Sequence, residues 1–273
     1  MRTTVRYAEL LQNMFPDLQP EVDDLFLLEA HQIAGLPTRA PTRELAAVLH
    51  AHPRLGRFFI ARHPPIEVFL SQVLVEHGAV ADGDLASCEQ ALVWELADWI
   101  VYQRDPEGYD ARTTSVGDLA AITEVEPLDG KVVVDAGAGT GRVAFAVAPL
   151  AQHVFAVEPV AALRQYMRSK ATRLGIENLF VLDGFLHAIP LPDGGVDLLV
   201  SRQAIGWKFS EELVEVERVV KPGGIALHIL ALPHPAPSDD EYHQVLAAHG
   251  YTADSYQEGA TLNRKYWKRI GST

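Results

Sequence analysis

Through the first hundred positions apolar residues recur at three- and four-residue intervals, whereas from Gly130 onward they gather into short runs separated by amphipathic stretches. The first spacing belongs to helices with one buried face, the second to strands alternating with helices. Tyr7–Phe15, Val22–Ile33, Ile66–His77 and the Ala-, Leu- and Trp-rich stretch Leu85–Gln103 read as helices. Thr42 reads as the N-cap of another, although Leu45 leaves its capping box incomplete. Gly108 and the polar stretch Asp110–Ser115 mark a boundary. The chain is therefore expected to consist of a helical region, 1–112, and a second domain, 113–273.

In the second domain the candidate strands are Val132–Asp135, His153–Val157, Leu179–Leu182, Val196–Ser201 and Ile225–Leu230. Helical stretches fall at Arg142–Leu150, Ala161–Leu174, Glu211–Val220 and Asp239–His249. Near-continuous apolar strands separated by helices predict an α/β fold, a Rossmann-like doubly wound, mostly parallel sheet covered on both faces. Thr252–Gln257 and Leu262–Ile270, joined through Glu258-Gly259, predict an antiparallel pair at its edge.

Composition narrows the classes. With 48% hydrophobic and 22% charged residues in 273, the chain can bury a sizeable core. No apolar run approaches the ~20 residues of a membrane span, and the first residues lack a secretory apolar stretch. Cys88 is the single cysteine, which excludes an intrachain disulfide and a multi-cysteine metal site. Cytoplasmic residence is the expectation. His50 and His52, two apart, point to different faces of a helix, so no metal is expected there. A net charge of −13 repels phosphate backbones and argues against a nucleic-acid substrate.

The chemistry concentrates in Val132-Val133-Val134-Asp135-Ala136-Gly137-Ala138-Gly139-Thr140-Gly141. Three close glycines between a buried strand and a helix let a ligand lie against the main chain. A dinucleotide fingerprint needs a glycine where Arg142 stands, and a phosphate loop needs a Gly-Lys-Ser/Thr ending that is absent. Asp135, a carboxylate just before the loop, disfavours pyrophosphate and suits an ammonium. Glu158, ending the next strand, can accept from both hydroxyls of a ribose.

These residues resemble the class I S-adenosylmethionine-dependent methyltransferases, in particular the group of ubiquinone/menaquinone C-methyltransferases. The first motif matches at Val134–Gly141, and the ribose-binding acid falls on Glu158. Gly184-Phe185-Leu186 and Ile189-Pro190-Leu191-Pro192-Asp193 align with the stretch after the third strand. Val196–Ser201 is similar to the fourth strand, and Arg218–Gly224 to the turn before the fifth. The match lies between Val134 and Gly224, and nothing before Thr113 takes part. It implies S-adenosylmethionine as cofactor, held by Asp135, Gly137, Ala138, Gly139, Glu158, Pro159, Gly184, Phe185, Leu186, Ser201 and Gln203. In the family an aspartate at the place of Phe185 receives the adenine amino group. A phenyl ring cannot accept that bond but can pack on the purine. Asp183 or the Leu186 amide is left to replace it.

The resemblance implies in-line methyl transfer to a small-molecule acceptor, with the helical region shaping the acceptor pocket or a contact between copies. A protein or RNA acceptor, a silent S-adenosylmethionine-binding protein and an aminopropyltransferase are the alternatives. Trp207, after the fourth strand, stands where open α/β sheets bind ligands. His187 and His234 lie at that level too, and Tyr109 and Asp110 precede the domain. Trp94 and Trp99 read as helical core. No motif names the acceptor, a base or an oligomeric state.

Overall fold

The computed structural model describes residues 7–112, 117–232, 240–259 and 261–271. Its chain falls into two units, Met1–Arg112 and Thr113–Thr273. The first is helical among its described residues: α1 (Tyr7–Met14), a 3-10 turn (Val22–Leu27), α2 (Ala30–Ala34), α3 (Leu36–Arg39), α4 (Thr42–Ala51), α5 (Pro53–Arg62), α6 (Ile66–Glu76), α7 (Asp82–Glu95), α8 (Ala97–Arg104) and α9 (Pro106–Arg112). Leu25, Ile33, Leu45, Phe59, Leu92 and Ile100 meet in its core, each with no exposed surface. Trp99 is core, as its periodicity predicts, and Trp94 packs against it.

Three helix ends depart from the periodicity. The Val22–Ile33 pattern breaks at Leu28, where Glu29 and Gln32 form a reciprocal capping box that starts α2 afresh. The Leu85–Gln103 pattern breaks at Leu96. There Arg39 donates to the Glu95 carbonyl (3.0 Å) and the Asp98 carboxylate (2.9 Å), satisfying an orphan carbonyl at one helix end and holding an acid in the first turn of the next. Thr42 is not the N-cap: Pro41 holds that position, and the Thr42 hydroxyl lies 3.1 Å from His77 Nε2. Gly108 lies inside α9, whose start is capped by Asp105 on the Gly108 amide (2.8 Å).

The second unit runs α10 (Gly117–Thr123), β1 (Val132–Ala136), α11 (Arg142–Val147), β2 (His153–Val157), α12 (Ala161–Leu174), β3 (Leu179–Leu182), β4 (Val196–Arg202), α13 (Phe209–Val219), β5 (Val220–Ala231), α14 (Glu241–Ala248), β6 (Thr252–Glu258) and β7 (Thr261–Arg269). The seven strands form one sheet ordered β3-β2-β1-β4-β5-β7-β6. β1 to β5 pair in parallel, and β7 pairs antiparallel with both β5 and β6. This is the predicted Rossmann-like sheet with its antiparallel edge pair. Successive β1 residues feed opposite cores, Val133 one face and Val134 the other, as pleating requires.

β5 begins earlier than its apolar run predicts. Pro222-Gly223-Gly224 belongs to the strand rather than to a separate turn, with a register shift between Val196 and Leu198 and φ +83° at Gly223. Proline is tolerated at such an irregularity, where no ladder bond is asked of it. Among the described residues no helix is long and apolar enough to cross a membrane.

Candidate functional site

The glycine loop joins β1 to α11 at the carboxyl end of the sheet. Gly137, Gly139 and Gly141 have φ of +75°, +58° and +85°, conformations that L side chains rarely adopt. The amides of Gly137 and Ala138 donate to the Val157 carbonyl (2.9 and 3.0 Å), and that of Gly139 to Glu158 Oε2 (2.8 Å). The loop's first amides are thus spent on β2, and what it offers a ligand is its shape. At Gly139 an added Cβ would meet no heavy atom within 4 Å, whereas at Gly137 it would overlap the Ala204 methyl. One glycine therefore borders open space and the other a packed wall.

Both acids are buried. Asp135, 1% exposed, accepts from the Ala144 amide (2.9 Å). Helix α11 has a glycine, Gly141, at its N-cap and so no side chain of its own to cap it; Asp135 supplies that cap from the neighbouring strand. Burial pushes its carboxyl up to about 7, with the nearby Asp118 charge adding to the shift and the Ala144 amide, Arg142 and Arg202 opposing it. Glu158, 5% exposed, accepts from Val160 (2.9 Å) through Oε1 and from Gly139 through Oε2. Burial likewise raises it to about 7. A carboxylate offers about four lone-pair sites, so its bonds to Gly139 and Val160 leave capacity for a vicinal diol. The open face at Gly139 beside this acid fits a ribose nucleoside.

The remaining sequence-predicted residues divide. Gly184 lies where a Cβ would press on Pro190, Val157 and the Ala188 carbonyl, so close packing demands glycine. Phe185 stacks on His187 with centroids 5.1 Å apart, and the turn closes through the Phe185–Ala188 backbone bridge. Leu186 is buried beside it. Asp183 forms an ion pair with Arg164 (3.0 Å), whose guanidinium also holds the Glu158 and Pro159 carbonyls (2.8 and 2.6 Å). Ser201 is fully buried, and its hydroxyl lies 2.7 Å from His228 Nδ1. Burial drives His228 down to about 3, so it stays neutral. Gln203, at φ +58°, accepts the Ala231 amide (2.8 Å) and thus shapes the loop after β4. Trp207 protrudes from that loop, 72% exposed, on backbone fixed by Glu212, which takes the amides of Gly206, Trp207 and Lys208. His234 lies outside the described residues.

Sequence reading missed Arg164, Glu212 and Asp118. Asp118, 3% exposed at the start of α10, takes Arg142 Nη2 (2.7 Å) and Arg202 Nε (2.6 Å) on Oδ2 and the Tyr256 hydroxyl (2.6 Å) on Oδ1. Its carboxyl lies below the usual range: burial would raise it, but the Tyr256 hydrogen bond and the two guanidiniums outweigh that. No local pattern announces it, because its partners stand 24, 84 and 138 residues away.

Comparison with known proteins agrees with this geometry. Residues 134–228 match the family described as Methyltransferase domain. A malonyl-[acyl-carrier protein] O-methyltransferase of Yersinia pestis is 36% identical over 100 residues, 36% of this chain and 36% of that protein. A protein-L-isoaspartate O-methyltransferase of Methanospirillum hungatei is 29% identical over 142 residues, 50% of this chain and 65% of its own length. The chain thus spans between about a third and two thirds of these relatives. The crystal structure of a SAM-dependent methyltransferase from Aquifex aeolicus shares the fold at a TM-score of 0.51 and 21% identity, covering 61% of this chain and 98% of that one. Residues 134–228 thus carry the match to a methyltransferase domain, and the sheet around them has a fold shared with a SAM-dependent methyltransferase.

A pH dependence follows from the two acids. A ligand that is cationic, or that donates hydroxyls, favours their ionised forms, while the ligand-free protein holds them half-protonated near pH 7. Affinity for S-adenosylmethionine is expected to rise about tenfold from pH 6 to pH 8 for each acid that ionises on binding, about a hundredfold for the two, with proton release. Calorimetry in buffers of different ionisation enthalpy measures both, and Glu158→Gln should flatten the slope. Their contribution to folding runs the other way. Both carboxyls are raised above their unfolded values, so their stabilisation is complete below about pH 4 and lost as the pH climbs through 7.

Proposed function

We propose that this protein transfers a methyl group from S-adenosylmethionine to a small-molecule acceptor in the cytoplasm. The observation that carries this reading is the open face of Gly139 set against the buried Glu158 carboxylate. The cofactor, when bound, supplies an electrophilic methyl on a sulfonium. The chain's own residues position and exclude water. Glu158 receives the ribose hydroxyls, Asp135 favours the cationic end, and Gly139 leaves room for the nucleoside. Pro159, Gly184, Phe185 and Leu186 form the adenine side, where the phenyl ring of Phe185 replaces a hydrogen bond by packing. Gln203 and Ser201 support the strand end from which Trp207 projects towards the acceptor side.

The motif set supports a place among the ubiquinone/menaquinone C-methyltransferase-like proteins. A second reading has a macromolecule-borne acceptor. The names of two relatives, a malonyl-[acyl-carrier protein] O-methyltransferase and a protein-L-isoaspartate O-methyltransferase, favour it. The net charge of −13 supports a protein or small molecule over a nucleic acid.

The test is titration of the full chain with S-adenosylmethionine and with NAD, followed by incubation with methyl-labelled donor. Malonate, malonyl-acyl-carrier protein and an isoaspartyl peptide serve as acceptors. Micromolar binding of the methyl donor and label on a small acid support the proposal. Label confined to the carrier protein or peptide selects the second reading. Preference for NAD would sink both.

A further inference from the structure

The cluster around Asp118 joins three elements at the carboxyl edge of the sheet. Arg142 is the first residue of α11, directly after the glycine loop, and Arg202 is the last of β4, directly before the loop that carries Gln203 and Trp207. Tyr256 comes from β6. Asp118 Oδ2 accepts from both Nε (3.1 Å) and Nη2 (2.7 Å) of Arg142, while Arg202 reaches the same oxygen and also approaches Glu258 at 3.9 Å. Arg142, Arg202 and Asp118 have side chains 21%, 18% and 3% exposed, so these charges act across partly dry space.

We propose that Asp118 is a positioning residue of the cofactor site: it gathers the Arg142 and Arg202 guanidiniums onto one carboxylate oxygen between the glycine loop and the loop after β4, and sets the charge balance that Asp135 feels. The proposal rests on the S-adenosylmethionine reading above. The groups facing Asp135 can be named element by element. Asp118 comes from α10, Arg142 from the start of α11 and Arg202 from β4, while the Ala144 amide of α11 bonds it directly. From the end of β2, Glu158 faces it as the second raised acid. Among the described residues the Arg142 and Arg202 charges favour ionised Asp135, whereas the Asp118 and Glu158 charges oppose it. Without the Asp118 charge the guanidiniums favour ionised Asp135 more strongly; without Arg202 they favour it less. Asp118 thus couples the entry of α11, which Asp135 caps, to the proton that Asp135 gives up when a cationic ligand binds.

The experiment measures S-adenosylmethionine affinity of the full chain by calorimetry between pH 5.5 and 8.5 for the wild type, Asp118→Asn, Arg202→Gln and Tyr256→Phe. The ligand's own amino titration is common to all four, so differences belong to the protein. Asp118→Asn is expected to lower the midpoint of the pH dependence and Arg202→Gln to raise it, each by roughly half a unit to one unit. Tyr256→Phe removes a hydrogen bond and no charge, and should leave the midpoint in place. Opposite shifts in the two charge variants support the proposal. A midpoint unmoved in both, or moved the same way in both, overturns it while leaving the cofactor assignment standing. If Asp118→Asn fails to fold, the direction of the Arg202→Gln shift decides. A wild type that binds no S-adenosylmethionine at any pH overturns the cofactor reading and this proposal together.

Discussion

Arginine in place of Gly139 is expected to weaken S-adenosylmethionine binding by at least about a hundredfold while the protein stays folded. The two halves of that expectation have separate causes. A side chain at Gly139 starts into space that no protein atom occupies within 4 Å, so it collides with nothing in the free protein. That space adjoins Glu158, whose Oε2 already holds the Gly139 amide, and it is where the nucleoside would lie. The cost to folding is confined to the backbone, where φ of +58° disfavours any L side chain by about 1–2 kcal/mol. Calorimetry with S-adenosylmethionine reads the first effect, and circular dichroism with urea denaturation reads the second. Undiminished affinity in the folded variant would remove the glycine loop from the ligand site.

Gly137→Ala should behave in the opposite way, costing stability before it costs recognition. Its φ of +75° carries the same backbone penalty, and the new methyl would overlap that of Ala204 in the loop after β4. Backbone strain of about 1–2 kcal/mol and overpacking of about 1–3 kcal/mol together predict a loss of roughly 2–5 kcal/mol. Urea denaturation measures it. Ala204→Gly on the same background removes the overlap but not the strain, so it should restore about 1–3 kcal/mol of the loss. No recovery in the double variant would show that the two loops do not meet as described. Glycines two positions apart in one motif thus face different surroundings, the first a packed methyl and the second open space.

The sheet was legible where local pattern and tertiary demand coincide. β2, β3 and α12 occupy the residues their periodicity predicts, because each is a plain apolar run or a plain amphipathic stretch ended by a turn. The helical unit was less so. The breaks at Leu28 and Leu96 come from a capping box and from Arg39 reaching across about sixty positions, and an apolar period cannot register either. In β5 the Pro222-Gly223-Gly224 run reads locally as a turn, yet pairing with β4 and β7 draws it into a strand. In the candidate site, Asp135 and Glu158 were visible by their place at strand ends. Their hydrogen bonds, which turn Asp135 into a helix cap and spend the loop amides on β2, were not. Asp118 was invisible for the same reason, since an acid at a helix start is a common surface residue until two arginines arrive from distant strands and helices.

The order of the sheet has a consequence for how the domain is made. β6 is translated before β7, but its seven register pairs are all with β7, which in turn fills the place beside β5. A growing chain on the ribosome therefore carries β5 with a bare edge, and β6 with no neighbour, until β7 emerges to zip the two together. Over that interval the nascent domain presents unpaired backbone to its surroundings. The Lys, Arg and Asp side chains studded along β6 and β7 are suited to keep foreign strands away until synthesis catches up.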